Sequence, residues 1–135
     1  MKLPPDVTFL EAHGLFIWKP RGILGEATIN KIIAFIGKEE ATFGKPFNRF
    51  TDMSLVDSVD LNFKFIFHVA LFRRLSYAGR PKVKSAFYVC TPAAAHYAKL
   101  HAVLTDYSAL NVALFKERKA AAKWLGVPVE VLITE

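Results

Sequence analysis

Hydrophobic positions along the chain repeat with two different periods, and the switches between them mark out alternating strands and helices. Residues 7–11 (VTFLE) and 15–19 (LFIWK) predict two short strands around a turn at His13-Gly14, with Pro20-Arg21-Gly22 closing the second. Ile29, Ile32, Ile33 and Ile36 recur at three- and four-residue steps, which predicts an amphipathic helix from Glu26 to about Glu40, ended by Gly44-Lys45-Pro46. Residues 47–53 (FNRFTDM) predict a further strand. In the second half, residues 83–90 (VKSAFYVC) and 110–115 (LNVALF) read as buried strands. Alanine-rich residues 93–103 and 117–125 read as helices, the first with Pro92 in its first turn and the second stopped by Gly126. The tail 127–135 (VPVEVLITE) reads as a last strand.

Residues 60–77 fit both periods. Phe63, Phe65, Phe67 and Val69 alternate as in a strand, while Leu61, Phe65, Val69 and Phe72 lie at helical spacing. Length and the Asp57-Ser58 start signal favour a helix, with Asp57 as its cap and Asp60 at its third position. Such a helix is apolar around most of its circumference, so it must be packed on several sides or face a ligand or partner. The element order predicts an α/β fold: a single mixed sheet of about 5 strands, mostly parallel in the second half, packed with about 4 helices. Residues 1–135 carry no repeat and no linker that would divide them, so one domain is expected.

Composition narrows the class further. The 135 residues are 53% apolar and 22% charged, which excludes intrinsic disorder. No apolar run approaches the roughly 18 residues of a membrane span. The first fourteen residues lack an apolar core of the secretory kind, and the lone Cys90 excludes an intrachain disulfide. Together these predict a cytoplasmic protein. The net charge is +6, of which residues 73–84 supply five through Arg73, Arg74, Arg80, Lys82 and Lys84. That cluster is a candidate anion site, and it also fits a helix end where cations offset the dipole. It has no aromatic platform beyond Tyr77, which disfavours nucleic acid as a partner.

Motifs of catalysis are missing: no P-loop, no GxGxxG, no GxSxG elbow and no HExxH. His96 and His101 are five apart on one helix and point in different directions, so neither a metal nor a cofactor is predicted. Cys90 ends a strand just before a helix, and the expectation is a buried core cysteine. The cluster of Asp52, Asp57, Ser58 and Asp60 lies where a strand is expected to pass into a helix, the end at which open α/β sheets place their sites. Ser58 is then a candidate phosphoacceptor on a helix N-terminus, against plain capping as the alternative. Phe63, Phe65, Phe67, Phe72 and Trp124 are candidates for an interface or an apolar ligand site.

From Val112 to Leu125 the chain resembles the STAS superfamily, and within it the small SpoIIAA-like bacterial proteins. In that group a strand ending in Phe precedes an alanine-bearing helix ending in Trp-Leu, here Phe115, then Ala120 to Ala122, Trp124 and Leu125. The resemblance implies a STAS-type fold and a regulatory role through protein contact, with Asp57-Ser58 matching the family's phosphorylated Asp-Ser step and Asp60 standing where its motif has glycine. It also implies similarity to the lipid-binding Sec14-type fold. The leading expectation is thus a non-enzymatic regulatory module that forms a homodimer or meets a regulatory protein partner. The alternative is a carrier for an apolar small molecule or lipid, with a cavity beside the 60–77 helix and Arg73 and Arg74 near an anionic head group.

Overall fold

Residues 3–133 are described by the computed structural model, in which one mixed sheet is packed by helices on both faces. The sheet order is β1 (Val7–Leu10), β2 (Leu15–Trp18), β4 (Asn48–Asp52), β6 (Val83–Tyr88) and β7 (Leu110–Phe115). β1 and β2 form an antiparallel hairpin, and the remaining neighbours are parallel. A 3-10 turn at Glu11–His13 joins the hairpin, with Gly14 left-handed at φ 58°. The helices are α1 (Glu26–Phe43), α2 (Phe63–Ser76), α3 (Pro92–Leu104) and α4 (Arg118–Leu125). The expected α/β class with a five-stranded mixed sheet and four helices is therefore what the chain forms.

Side-chain alternation distributes the core between two faces. Phe16 and Trp18 of β2 and Phe87 of β6 pack with α1, α2 and α3, whereas Leu15, Ile17, Phe50 and Ala86 pack against α4 and the tail. Arg49, Thr51 and Ser85 occupy positions that alternate with this second set, and all three are buried. The three-helix side thus contains polar groups within an apolar interior. On the sheet's opposite face, α4 is tied to β4 by Arg118 Nη2 donating to Asp52 Oδ2 at 3.0 Å, with the guanidinium 4.3 Å from the Tyr88 ring centroid.

Several expectations are corrected. β2 and β4 each continue, after a two-residue link, into a strand of a separate parallel ribbon, β3 (Arg21–Gly25) with β5 (Leu55–Asp60). Residues 21–22 are therefore not merely a terminator, and Asp52 passes into a strand rather than a helix. Leu24 and Val56 anchor the ribbon in the core, and as the single buried residue of each strand they leave no apolar alternation to read. Asp57, Ser58 and Asp60 lie exposed on β5, so Asp57 is no cap and Asp60 no helical residue. Asn62 is the cap instead: its Oδ1 accepts the Phe65 N–H at 2.8 Å. Residues 129–132 form a 3-10 turn with Leu132 buried, where a strand was expected; residues 134–135 lie outside the described part. Cys90 is exposed, not a core residue. No helix among the described residues is long and apolar enough to cross a membrane.

The position of the α2 cap is testable. Asn62→Ala should lower unfolding free energy by about 1 kcal/mol, and Asp57→Ala should change it by less than about 0.5 kcal/mol. Denaturant unfolding reads both, and the opposite ranking would contradict a helix that begins after Asn62.

Candidate functional site

The amphipathic stripe of α1 ends in a charge. Ile29, Ile32 and Ile36 face the core, and the next position on the same face is Glu40, which is 1% exposed. Its two carboxylate oxygens are fully engaged. Oε2 accepts the Phe47 N–H and Arg49 Nη2, both at 2.9 Å, while Oε1 accepts the Tyr77 hydroxyl at 2.6 Å. Gly44, left-handed at φ 75°, turns the chain so that residues 47–49 return beneath the helix end. Arg49 Nη2 also lies 2.7 Å from the Tyr77 hydroxyl and donates more weakly to the Phe47 carbonyl at 3.3 Å. Nε and Nη1 of Arg49, both buried, have no hydrogen-bond partner.

A second guanidinium lies beside the first. Arg73 comes from the inward face of α2 and is buried. Its Nη1 lies 3.4 Å from His101 Nε2 on α3. Burial, with the nearby Arg49 charge, pushes Arg73 down to about 10, against partial relief from Tyr77 and Tyr97. The same desolvation, followed by the charges of Arg73 and Arg49, holds His101 well below the usual imidazole range. A neutral His101 accepts at Nε2 and carries its proton on Nδ1, which is buried without a partner. Its ring stacks on Tyr97 at 6.2 Å and meets the edge of Phe87 at 6.0 Å. Burial raises the Tyr97 hydroxyl to about 12.

Above these groups, a cleft of about 590 Å³ runs between α1 and α2. That volume lies within the usual range of small-molecule sites, about 300–1,000 Å³. Ile33 and Ala34 form one wall, Phe65, Val69 and Phe72 the other, and Arg49 and Arg73 lie at the bottom. Lys38 and Arg80 also line it, and Arg80 lies 5.2 Å from the Tyr77 ring centroid. Glu40 is thus the single acid against four cations in the lining. An apolar trough with excess positive charge at its base can hold an anion whose remaining bulk is hydrophobic.

The expected site residues divide. Phe65, Phe72, Arg73 and Arg80 meet in the cleft, whereas Phe63 and Phe67 lie outside it on exposed turns of α2. Arg74 turns away, donating to the backbone carbonyls of Leu104 and Asp106. Trp124 packs on Phe115 across the sheet, where Lys84 donates to its carbonyl, and Lys82 is exposed. Asp52 is buried against Arg118, apart from the exposed Asp57, Ser58 and Asp60. Tyr88 is raised chiefly by its hydrogen bond to Cys90. Glu40, Arg49, Tyr77 and His101 escaped the sequence reading. Two signals pointed to the first pair: Glu40 continues the isoleucine stripe, and Arg49 alternates with Phe50 in a central strand. Among the described residues, no group of three His, Cys, Asp or Glu side chains is arranged to hold a metal.

The buried histidine makes stability depend on pH. The unfolded chain takes up a proton at His101 near pH 6.5, whereas the folded chain resists it. This contribution is complete above about pH 6.5 and is lost as pH falls below it, because the unfolded state then binds more protons. Melting temperature should therefore fall between about pH 7 and pH 5.5, and His101→Gln should flatten that fall. Equal slopes in parent and variant would contradict a neutral buried His101.

No family model matches the chain, and no curated protein or solved structure matches it either.

Proposed function

We propose that this chain is a non-enzymatic binding module for a small amphipathic anion, held with its apolar body between α1 and α2 and its head group at Arg49 and Arg73. The observation that carries this reading is the buried guanidinium of Arg49, with two unpartnered nitrogens, Nε and Nη1, at the base of an apolar cleft. An unsatisfied buried donor costs about 1–3 kcal/mol, and more when charged. A carboxylate or phosphate there would engage those donors through charge-assisted hydrogen bonds and offset the charge that Glu40 leaves uncompensated. Long apolar chains fit walls built of isoleucine, alanine and phenylalanine. The module is thus the carrier of the two sequence readings, with Arg73 in the expected role and Arg49 taking the place given to Arg74.

The regulatory reading draws less support from the geometry. Ser58 lies on a strand, where no free amides of a helix N-terminus would receive an added phosphate. Kinship with STAS domains stays a proposal resting on the residue 112–125 motif, and a fold of this kind hosts many functions.

Dodecanoate should bind saturably at one molecule per chain by calorimetric titration. Dodecanol should bind at least about tenfold more weakly, because the charge-assisted bond is lost. Ala34→Trp fills the cleft from α1 without touching the buried polar network and should reduce dodecanoate binding by at least about tenfold. Equal affinity for acid and alcohol, or undiminished binding by Ala34→Trp, would contradict the site.

A further inference from the structure

We propose that the outer face of α2 docks onto an anionic lipid surface. Phe63, Phe67, Leu71 and Leu75 follow one another at four-residue steps and are 44–68% exposed. They form a stripe about 18 Å long on one side of the helix. The Phe63 and Phe67 rings stack at 6.3 Å, and none of the four residues lines the cleft. Arg74, bonded to the carbonyls of Leu104 and Asp106, brings the turn after α3 alongside the end of α2. The last turn of α3 exposes Val103 and the turn after it Tyr107, the latter 96% exposed in a left-handed conformation at φ 62°. Exposed aliphatic and aromatic side chains around a helix are what an acyl and head-group boundary accommodates.

Charge identifies the occupant. Arg73 and Arg80 belong to the cleft and Lys84 to the other side of the sheet, whereas Lys64 on α2 and Lys82 beyond its end are exposed and Arg74 is half-buried at the end of the helix. A second copy meeting this face would bring these cations together against Asp106 of the adjacent turn, an excess of like charge that is destabilising. A membrane rich in acidic phospholipid supplies both an apolar layer and the opposite charge. The inference stands on the exposed stripe and does not rest on the cleft being occupied. If both hold, α2 separates lipid surface from cleft, with Phe72 57% exposed and lining the cleft.

Flotation with vesicles of phosphatidylcholine carrying about one-third phosphatidylserine tests the proposal. The protein should float with them, and at least about tenfold less with pure phosphatidylcholine vesicles or in about 0.5 M salt. Phe67→Glu and Leu71→Glu should each reduce flotation at least about tenfold while leaving dodecanoate binding intact. Flotation without preference for acidic lipid, or unaltered in both variants, would overturn it. So would a parent dimer that the variants convert to monomers, with no flotation of any form, since a second copy would then cover the face. Flotation of a parent that fails to bind dodecanoate would defeat the carrier reading and leave this one standing.

Discussion

Glu40 can neutralise one guanidinium, and the fold buries two. The carboxylate is already committed to Arg49, to Tyr77 and to the Phe47 amide, so Arg73 is left beside the like charge of Arg49 and a depressed His101. Breaking such a buried pair leaves an uncompensated charge and typically costs 3–5 kcal/mol, so Glu40 and Arg49 must be kept or lost together. The three-helix side of the sheet is consequently organised around a polar knot. The end of α1, the start of β4, the end of α2 and the last turn of α3 all contribute one or more of its members.

The excess charge lies at the base of the cleft. α1 and α2 do not pack side by side over Arg49 and Arg73, whose guanidiniums are already buried beneath them. The helices instead stand apart along Ile33, Ala34, Phe65 and Phe72, leaving an apolar trough that ends in cations. The other side of the sheet has no such conflict. There Phe50, Ala86, Ala121 and Leu125 form an uninterrupted apolar cluster, and the one buried acid, Asp52, meets Arg118 from α4 at its edge.

Much of the fold was legible because its periods are unambiguous: the isoleucines of α1, the apolar runs of β6 and β7, and the Pro92 and Gly126 boundaries are each local signals. The ribbon of β3 and β5 was not, because each strand buries a single residue, Leu24 or Val56, and their pairing spans residues far apart in sequence. With β5 unseen, Asp57-Ser58 looked like a helix start, and the true cap at Asn62 was passed over. The site was half legible. Aromatic crowding on residues 63–72 and the cations at 73–80 pointed to the right helix, but which of them face inward depends on rotation about its axis. Arg73 and Arg74 are neighbours in sequence and part company in space, one to the cleft and one to the turn after α3. Glu40, Tyr77 and His101 come from three separate elements, and only tertiary packing brings them together.

The most direct test of the central claim is a crystal structure of the protein grown with dodecanoate. The buried charge excess predicts the acyl chain between α1 and α2, with the carboxylate within about 3 Å of the free Arg49 N–H groups. A chain lying elsewhere, or one in the cleft with its carboxylate turned out to solvent and Nε and Nη1 of Arg49 still without partners, would contradict it.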